Sequence, residues 1–274
     1  MTATPTTRTL TVDAAVGVGV GVGVPVPVTF TERGAGRPFL LLHGGAGPQS
    51  VENFAALLAE AGPARVIVPV HPGFGGTPRP EQLASMTALA SVYGQLIDDL
   101  DLAGVTVIGN SIGGWIAAEI ALLANPRVSG VVLVDAAGLQ LDADPVADFF
   151  ALTMDQVADL SYYRPDDFRI DVASLPDQAK AAMAGNRAAL AVYGGTAMAD
   201  PGLLGRLPAI TVPVLAVWGA ADRMIPPAHG RAYAAAIPGA RLRLITEAGH
   251  LPQLEAPGEL LQMITEFTGT LAAR

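Results

Sequence analysis

The chain has 274 residues, of which 51% are hydrophobic and 15% charged, a composition that supports a large folded core and excludes a disordered chain. Its net charge of -9 argues against nucleic acid and against an anionic membrane surface as partners. There is no cysteine, so disulfides, thiolate metal sites and a cysteine nucleophile are all excluded.

In chain order, residues 9–12 and 24–31 are predicted to be antiparallel edge strands joined through a Gly-Val repeat. Each valine of that repeat falls on one face of a strand, and glycine leaves the other face bare, so an extended hairpin is expected. The stretch from Ala14 to Phe30 is uncharged and follows Arg8, but its alternation and its Pro-Val-Pro-Val run suit extended chain better than a signal-peptide helix. With no small-residue cleavage site standing out, a cytoplasmic location is expected. No other run is long and apolar enough to span a bilayer. The pair Gly17-x-Gly19 is followed by Val22, where a dinucleotide fingerprint needs glycine.

From Phe39 onward, apolar strands alternate with helical patterns. Strands are predicted at 39–42, 66–70, 105–108, 131–134, 214–218 and 242–245, and helices at 51–61, 86–102, 112–123, 227–236 and 257–271. With the two N-terminal strands this makes an α/β fold with a mostly parallel eight-stranded sheet covered by helices on both faces. In such sheets active sites lie beyond the carboxyl ends of the strands. The alternation breaks after the sixth strand, where residues 137–207 show no strand pattern and are rich in Ala, Asp and aromatics. Asp144-Pro145 is predicted to start one helix and Pro176 another that runs to about 191. The expected organisation is a core of residues 1–136 and 208–274 interrupted by a helical cap at 137–207.

The stretch around which this sheet is organised begins at Val105. A β-branched run to Ile108 turns on Gly109-Asn110-Ser111-Ile112-Gly113, and Trp115, Ile116, Ile120 and Leu123 then recur at helical spacing. Strand, tight turn and helix is the context in which Gly-x-Ser-x-Gly forms a nucleophile elbow, with the serine at the strand's end and a helix N-terminus behind it. A serine needs a base, and the base needs an orienting acid. Of the four histidines, His250 follows the last predicted strand, and Asp222 sits in the loop after the strand at 214–218. The order Ser111, Asp222, His250 is the hydrolase order of this fold class and differs from the orders of chymotrypsin and subtilisin. Asp135, ending the strand at 131–134, is a rival for the acid, and its other reading is a cap for the turn that follows. An oxyanion needs two donors: the Ile112 N–H directly follows the serine, and the Gly45 N–H comes from the loop His43-Gly44-Gly45.

The remaining histidines carry less. His43 is expected to be a structural hydrogen-bonder, the glycine loop from His71 to Thr77 a structural turn at the sheet edge, and His229 part of a surface helix without function. That glycine loop lacks the lysine of a phosphate cradle, and no histidine pair has metal-ligand spacing.

Taken together, the sequence resembles the α/β-hydrolase superfamily from about Thr9 to the C-terminus. The residues that carry the resemblance are His43-Gly-Gly45, His71-Pro-Gly-Phe-Gly75, Gly109-Asn-Ser-Ile-Gly-Gly114, Trp218-Gly-x-x-Asp222 with Pro226, and Gly249-His250. The resemblance implies that Ser111 is nucleophile, His250 general base and then acid, Asp222 its orienter, and Gly45 with Ile112 the oxyanion hole. No cofactor and no metal are implied. Asn110-Ser111 and the His43 loop are similar to carbon–carbon hydrolases of aromatic ring-fission products, although Leu251 stands where those enzymes tend to place tryptophan. Haloalkane dehalogenases and epoxide hydrolases are excluded, because both use aspartate where Ser111 stands.

The broad expectation is a carboxylic ester hydrolase acting on a small apolar or aromatic molecule. Phe149, Phe150, Tyr162 and Tyr163 in the cap are the expected substrate contacts. Carbon–carbon bond hydrolysis, a ligand receptor on the same fold and perhydrolase-like chemistry at the same serine are the alternatives.

Overall fold

The computed structural model describes residues 6–13 and 23–272, with side chains from 25 to 271; residues 14–22, which hold most of the Gly-Val repeat of 16–24, therefore lie outside the described residues. Among the described residues, eight strands form a single sheet: β1 (Thr6–Asp13), β2 (Gly23–Gly34), β3 (Arg37–Leu42), β4 (Ala64–Val70), β5 (Val105–Asn110), β6 (Val128–Val134), β7 (Val214–Gly219) and β8 (Arg241–Ile245). Their order is β1-β2-β4-β3-β5-β6-β7-β8. β1 and β2 pair antiparallel, β2 joins β4 antiparallel, and every later pairing is parallel.

The inner parallel strands β3, β5, β6 and β7 are largely apolar on both faces because both are covered, whereas the edge strand β8 is mostly exposed and carries Arg241 and Arg243. Along β3, Leu40 and Leu42 enter the core beneath α2 (Met86–Asp99) and α3 (Ile112–Leu122), whereas Phe39 and Leu41 enter the one beneath α1 (Gln49–Glu60) and α9 (Pro257–Ala272). This is the period-two alternation of a strand, read as a continuous apolar run because neither face meets water. The Ser85 side chain caps α2 by accepting the Ala88 N–H. Among the described residues, no helix is long and apolar enough to cross a membrane.

Between β6 and β7 the chain makes no sheet strand. It contains α4 (Met154–Ser161), short 3-10 turns at Pro165–Asp167 and Val172–Ser174, α5 (Asp177–Gly194) and α6 (Leu203–Arg206). Thr153 and Gln156 close a capping box at the start of α4. Arg206 ties the far end of the insertion to α3, reaching the buried Glu119 at 2.7 Å and Asp200 at 2.6 Å. Trp115 donates to the same Glu119, so the buried carboxylate is fully engaged.

Three sequence expectations are corrected. Asp144-Pro145 starts no helix, because this segment commits its backbone groups to the core: Ala147 N–H donates to Met224 O, and Asp144 O bonds His229 Nε2. His229, on α7 (Pro227–Ala236), is accordingly fully buried and not a surface residue. The His71 loop is not at the sheet edge, since β4 lies between β2 and β3, next to the strand that leads into the His43 loop.

Candidate active site

Ser111 sits where β5 becomes α3, with φ 58° and ψ -120°, a positive φ that a serine adopts only when its surroundings impose it. Those surroundings are crowded backbone. A Cβ on Gly109 would strike Gly113 O, and one on Gly113 would strike Leu42 O, so the turn tolerates nothing but glycine at these two places. The result is a buried serine, 9% exposed, at the amino end of α3.

His250 follows β8 and precedes α8 (Pro252–Glu255). Its Nδ1 lies 2.8 Å from Asp222 Oδ2, and both residues are buried. Asp222 Oδ1 accepts the N–H groups of Met224 and Ile225 at 2.8 and 2.9 Å, which fix the carboxylate's plane. Asn110 joins the serine's strand to the histidine's loop: its Nδ2 donates to His250 O at 2.9 Å, and its Oδ1 accepts from Gln253 Nε2 at 3.1 Å. The structure thus places Ser111, Asp222 and His250 after the carboxyl ends of β5, β7 and β8, with the histidine hydrogen-bonded to Asp222.

Asp135, the rival acid, directly follows β6. It is fully buried, and its Oδ1 accepts the Gly219 N–H at 2.9 Å. One atom from each of Asp135, Asp222 and His250 falls within 4.8 Å of the others. Within this cluster Asp222 accepts three N–H groups, from Met224, Ile225 and His250. Burial, together with the Asp222 and Glu255 charges, holds the Asp135 carboxyl well above the usual carboxylate range, against the opposing pull of the Gly219 N–H.

The glycine loop after β3 crosses directly beside the serine, with the position of a Gly44 Cβ 3.0 Å from Ser111 Cβ. His43 shapes it. Its Nε2 accepts the His71 N–H at 3.1 Å, which leaves Nδ1 as the protonated nitrogen, donating to Gly44 O at 2.8 Å. Gly47 N–H bonds the same carbonyl. A trans peptide points its N–H opposite its C=O, so the Gly45 N–H faces away from the His43 ring. Behind His43, His71 donates from Nε2 to His43 O and accepts from the Tyr93 hydroxyl at 2.5 Å. Burial lowers His43 to about 4 and takes His71 well below the ordinary histidine range, so both rings are neutral and serve structure.

The insertion covers this edge of the sheet through α5. Leu190 comes within 3.1 Å of where a Gly45 Cβ would stand, Asn186 Oδ1 accepts the Gly75 N–H, and the Tyr193 hydroxyl donates to Pro72 O. Asn186, Ala189, Leu190 and Tyr193 form one helical face, and their helical spacing is the only mark of it that the sequence carries. The aromatics expected to meet substrate lie elsewhere in the insertion. Phe149 and Phe150 pack edge to face beside the Arg187 guanidinium, Tyr162 stacks on Phe168, and Tyr163 is 42% exposed. The last residue of α4 meets the histidine loop itself: His250 N–H donates to Ser161 O at 2.6 Å. Glu255 binds both sides of that contact, accepting Gly249 N–H on Oε2 and the Tyr163 and Arg164 N–H groups on Oε1.

Residues 39–263 match the model of a family described as "Alpha/beta hydrolase family". The chain is 29% identical over 259 residues to a 2-hydroxy-6-oxononadienedioate/2-hydroxy-6-oxononatrienedioate hydrolase of Cupriavidus pinatubonensis, covering 87% of this chain and 89% of that protein. Its fold resembles that of a thermophilic esterase from Thermogutta terrifontis (TM-score 0.74, 24% identity, 96% of this chain and 99% of that one). It also resembles a meta-cleavage product hydrolase from Pseudomonas fluorescens (TM-score 0.74, 21% identity, 96% of this chain and 97% of that one). The match over most of the chain, on a sheet with the serine turn at its centre, places this protein in the alpha/beta hydrolase family.

Proposed function

We propose that the chain is a serine hydrolase that cleaves a carboxylic ester, or a related acyl bond, of a small apolar or aromatic substrate through an acyl-enzyme at Ser111. The observation that carries this reading is the buried 2.8 Å hydrogen bond between His250 Nδ1 and Asp222 Oδ2, set beside a strained serine at a strand-to-helix turn. Asp222 fixes the tautomer, leaving His250 Nε2 as the base. The Ser111 hydroxyl gives its proton to Nε2 while Oγ bonds the substrate carbonyl carbon. The N–H groups of Gly45 and Ile112 receive the negative charge that develops on the carbonyl oxygen. His250 then passes its proton to the departing alkoxide, and water repeats the sequence to release the acid. No external cofactor enters these steps.

In this reading residues 137–207 act as a cap that excludes water and sorts substrates, on a core made of 1–136 and 208–274. Leu190 stands closest to the Gly45 loop and is assigned the first contact with the acyl group. Phe149, Phe150, Tyr162 and Tyr163 belong to the cap's wall, with Tyr163 at its outer rim.

Carbon–carbon bond hydrolysis is the second reading, supported by the Cupriavidus relative. It uses the same elbow and differs in the bond presented to it. A fluorophosphonate probe tests the common core: a single adduct per chain on Ser111, absent from Ser111→Ala, is expected. An adduct elsewhere with Ser111 untouched overturns the assignment. Ser111→Ala should lower turnover about a million-fold if the three residues act as a unit. A panel of short and aromatic esters beside a ring-fission dienoate separates the two readings, and failure to turn over any of them favours a ligand receptor.

A further inference from the structure

Asp135 is a fully buried acid without an assigned role, and its two oxygens are treated differently by the fold. Oδ1 accepts the Gly219 N–H, whereas Oδ2 is buried with no hydrogen-bond donor among the described residues. As a carboxylate, Asp135 would leave that oxygen an orphan acceptor, which is costly away from water. It would also place a second negative charge beside Asp222, in a cluster whose atoms lie within 4.8 Å. Asp222 offers the complementary defect. Its Oδ1 takes two backbone N–H groups and its Oδ2 only the His250 Nδ1–H, so Oδ2 keeps a free lone pair. A proton on Asp135 Oδ2 turns the orphan acceptor into a donor and supplies the missing hydrogen bond.

We propose that Asp135 is a positioning residue, held as a neutral carboxylic acid that donates to Asp222, so that the acid orienting His250 is itself held by a second acid. The proposal rests on the reading of Ser111, His250 and Asp222 as the reacting assembly. The ionisable groups facing Asp135 are Asp222 from the loop after β7, His250 from the loop after β8 and Glu255 from α8; the two acids act in the same direction, and among the described residues no lysine or arginine opposes them. The function of the arrangement is charge control. With Asp135 neutral, the buried trio carries one negative charge at rest and none when His250 holds the serine's proton. With both acids ionised, an extra negative charge would hold the imidazole in its protonated form, where it cannot accept a proton from Ser111.

The test combines infrared difference spectra at neutral pH with the pH dependence of fluorophosphonate labelling at Ser111. The native chain should show the carbonyl stretch of a buried protonated carboxyl, and Asp135→Asn should lack it. The amide introduced by Asp135→Asn would still donate to Asp222, so the acid limb of that variant's labelling profile should stay where the native chain has it. Asp135→Ala removes the donor, leaves the whole Asp222 charge to the imidazole, and should raise that limb by about one pH unit. The proposal is overturned if the native band is absent, or if the Asp135→Asn limb moves to lower pH, the shift expected when a real negative charge is removed. If Asp135→Ala does not fold, the band and the amide variant still decide. A native chain that takes no label at Ser111 would refute the proposed function, while the infrared band, which needs no turnover, would still report the Asp135 proton.

Discussion

Asn110, the residue before the serine, holds the backbone carbonyl of His250 at 2.9 Å across 140 residues of chain. This one amide couples the serine's strand to the histidine's loop, and Gln253 fixes its orientation by donating to Oδ1. Asn110→Ala leaves the His250 carbonyl and the Gln253 amide unpaired in a buried place, a loss of about 1–3 kcal/mol. Turnover is expected to fall about ten- to a hundredfold with KM little changed, because in the proposed mechanism the lost contact positions the base and does not bind substrate. Steady-state kinetics on one activated ester read both constants; a rise in KM at unchanged turnover would move Asn110 to the binding surface.

Asp222 and Asp135 are predicted to respond differently to the same isosteric change. Asp222→Asn replaces the acceptor of the His250 Nδ1–H with a group that can donate, favouring the wrong tautomer, and should cost about four orders of magnitude in turnover. At Asp135 the exchange preserves a donor and should cost far less. Turnover numbers of the two variants on the same ester provide the check, and the reverse ranking would transfer the orienting role to the strand before the insertion.

Leu190→Ala should change which acyl groups are accepted. The side chain is 2% exposed and stands over the Gly45 loop, so its removal opens space where the acyl chain is expected to lie. Contacts of this kind are worth about 1–3 kcal/mol, enough to reorder kcat/KM between short and long esters by ten- to two-hundredfold. A uniform loss across all chain lengths, in step with a lower Tm, would make Leu190 a packing residue only.

His43 predicts how the fold responds to acid. Its native value of about 4 lies below the ordinary histidine value of 6.5, so the unfolded chain takes up the proton first. The stability this provides is complete above about pH 6.5 and is lost as the pH falls toward 4, by about 3 kcal/mol at pH 4. His71, depressed further by burial, adds to the loss in the same direction. Urea unfolding at pH 7 and pH 4.5 should show the weakening, and His43→Asn, which retains a donor for Gly44 O but does not titrate, should show less of it.

Much of this architecture is legible in the sequence because its causes are local. β-branched runs such as Val131 to Val134 announce buried strands, and the glycines around Ser111 announce a turn that no Cβ could enter. What escapes the sequence depends on strand order and on who claims a backbone group. Asp135 and Asp222 lie 87 positions apart in the chain and become neighbours because β6 pairs with β7. Asp144-Pro145 has the chemistry of a helix start, yet His229 takes the Asp144 carbonyl first. The aromatics of the insertion draw attention by type, whereas the face that meets the glycine loop is marked only by the spacing of Asn186, Leu190 and Tyr193.

Glu255 has a mechanical consequence. Because one carboxylate grips Gly249 on one side and Tyr163 with Arg164 on the other, and Ser161 O holds the His250 amide, these two segments are tied to each other. Lifting the insertion far enough to admit a bulky guest must either break those bonds together or drag the imidazole away from the serine. On the function proposed above, the machine is therefore armed only when shut: a molecule opened at this seam could load or empty but not react, and stray water entering then would meet a disarmed serine.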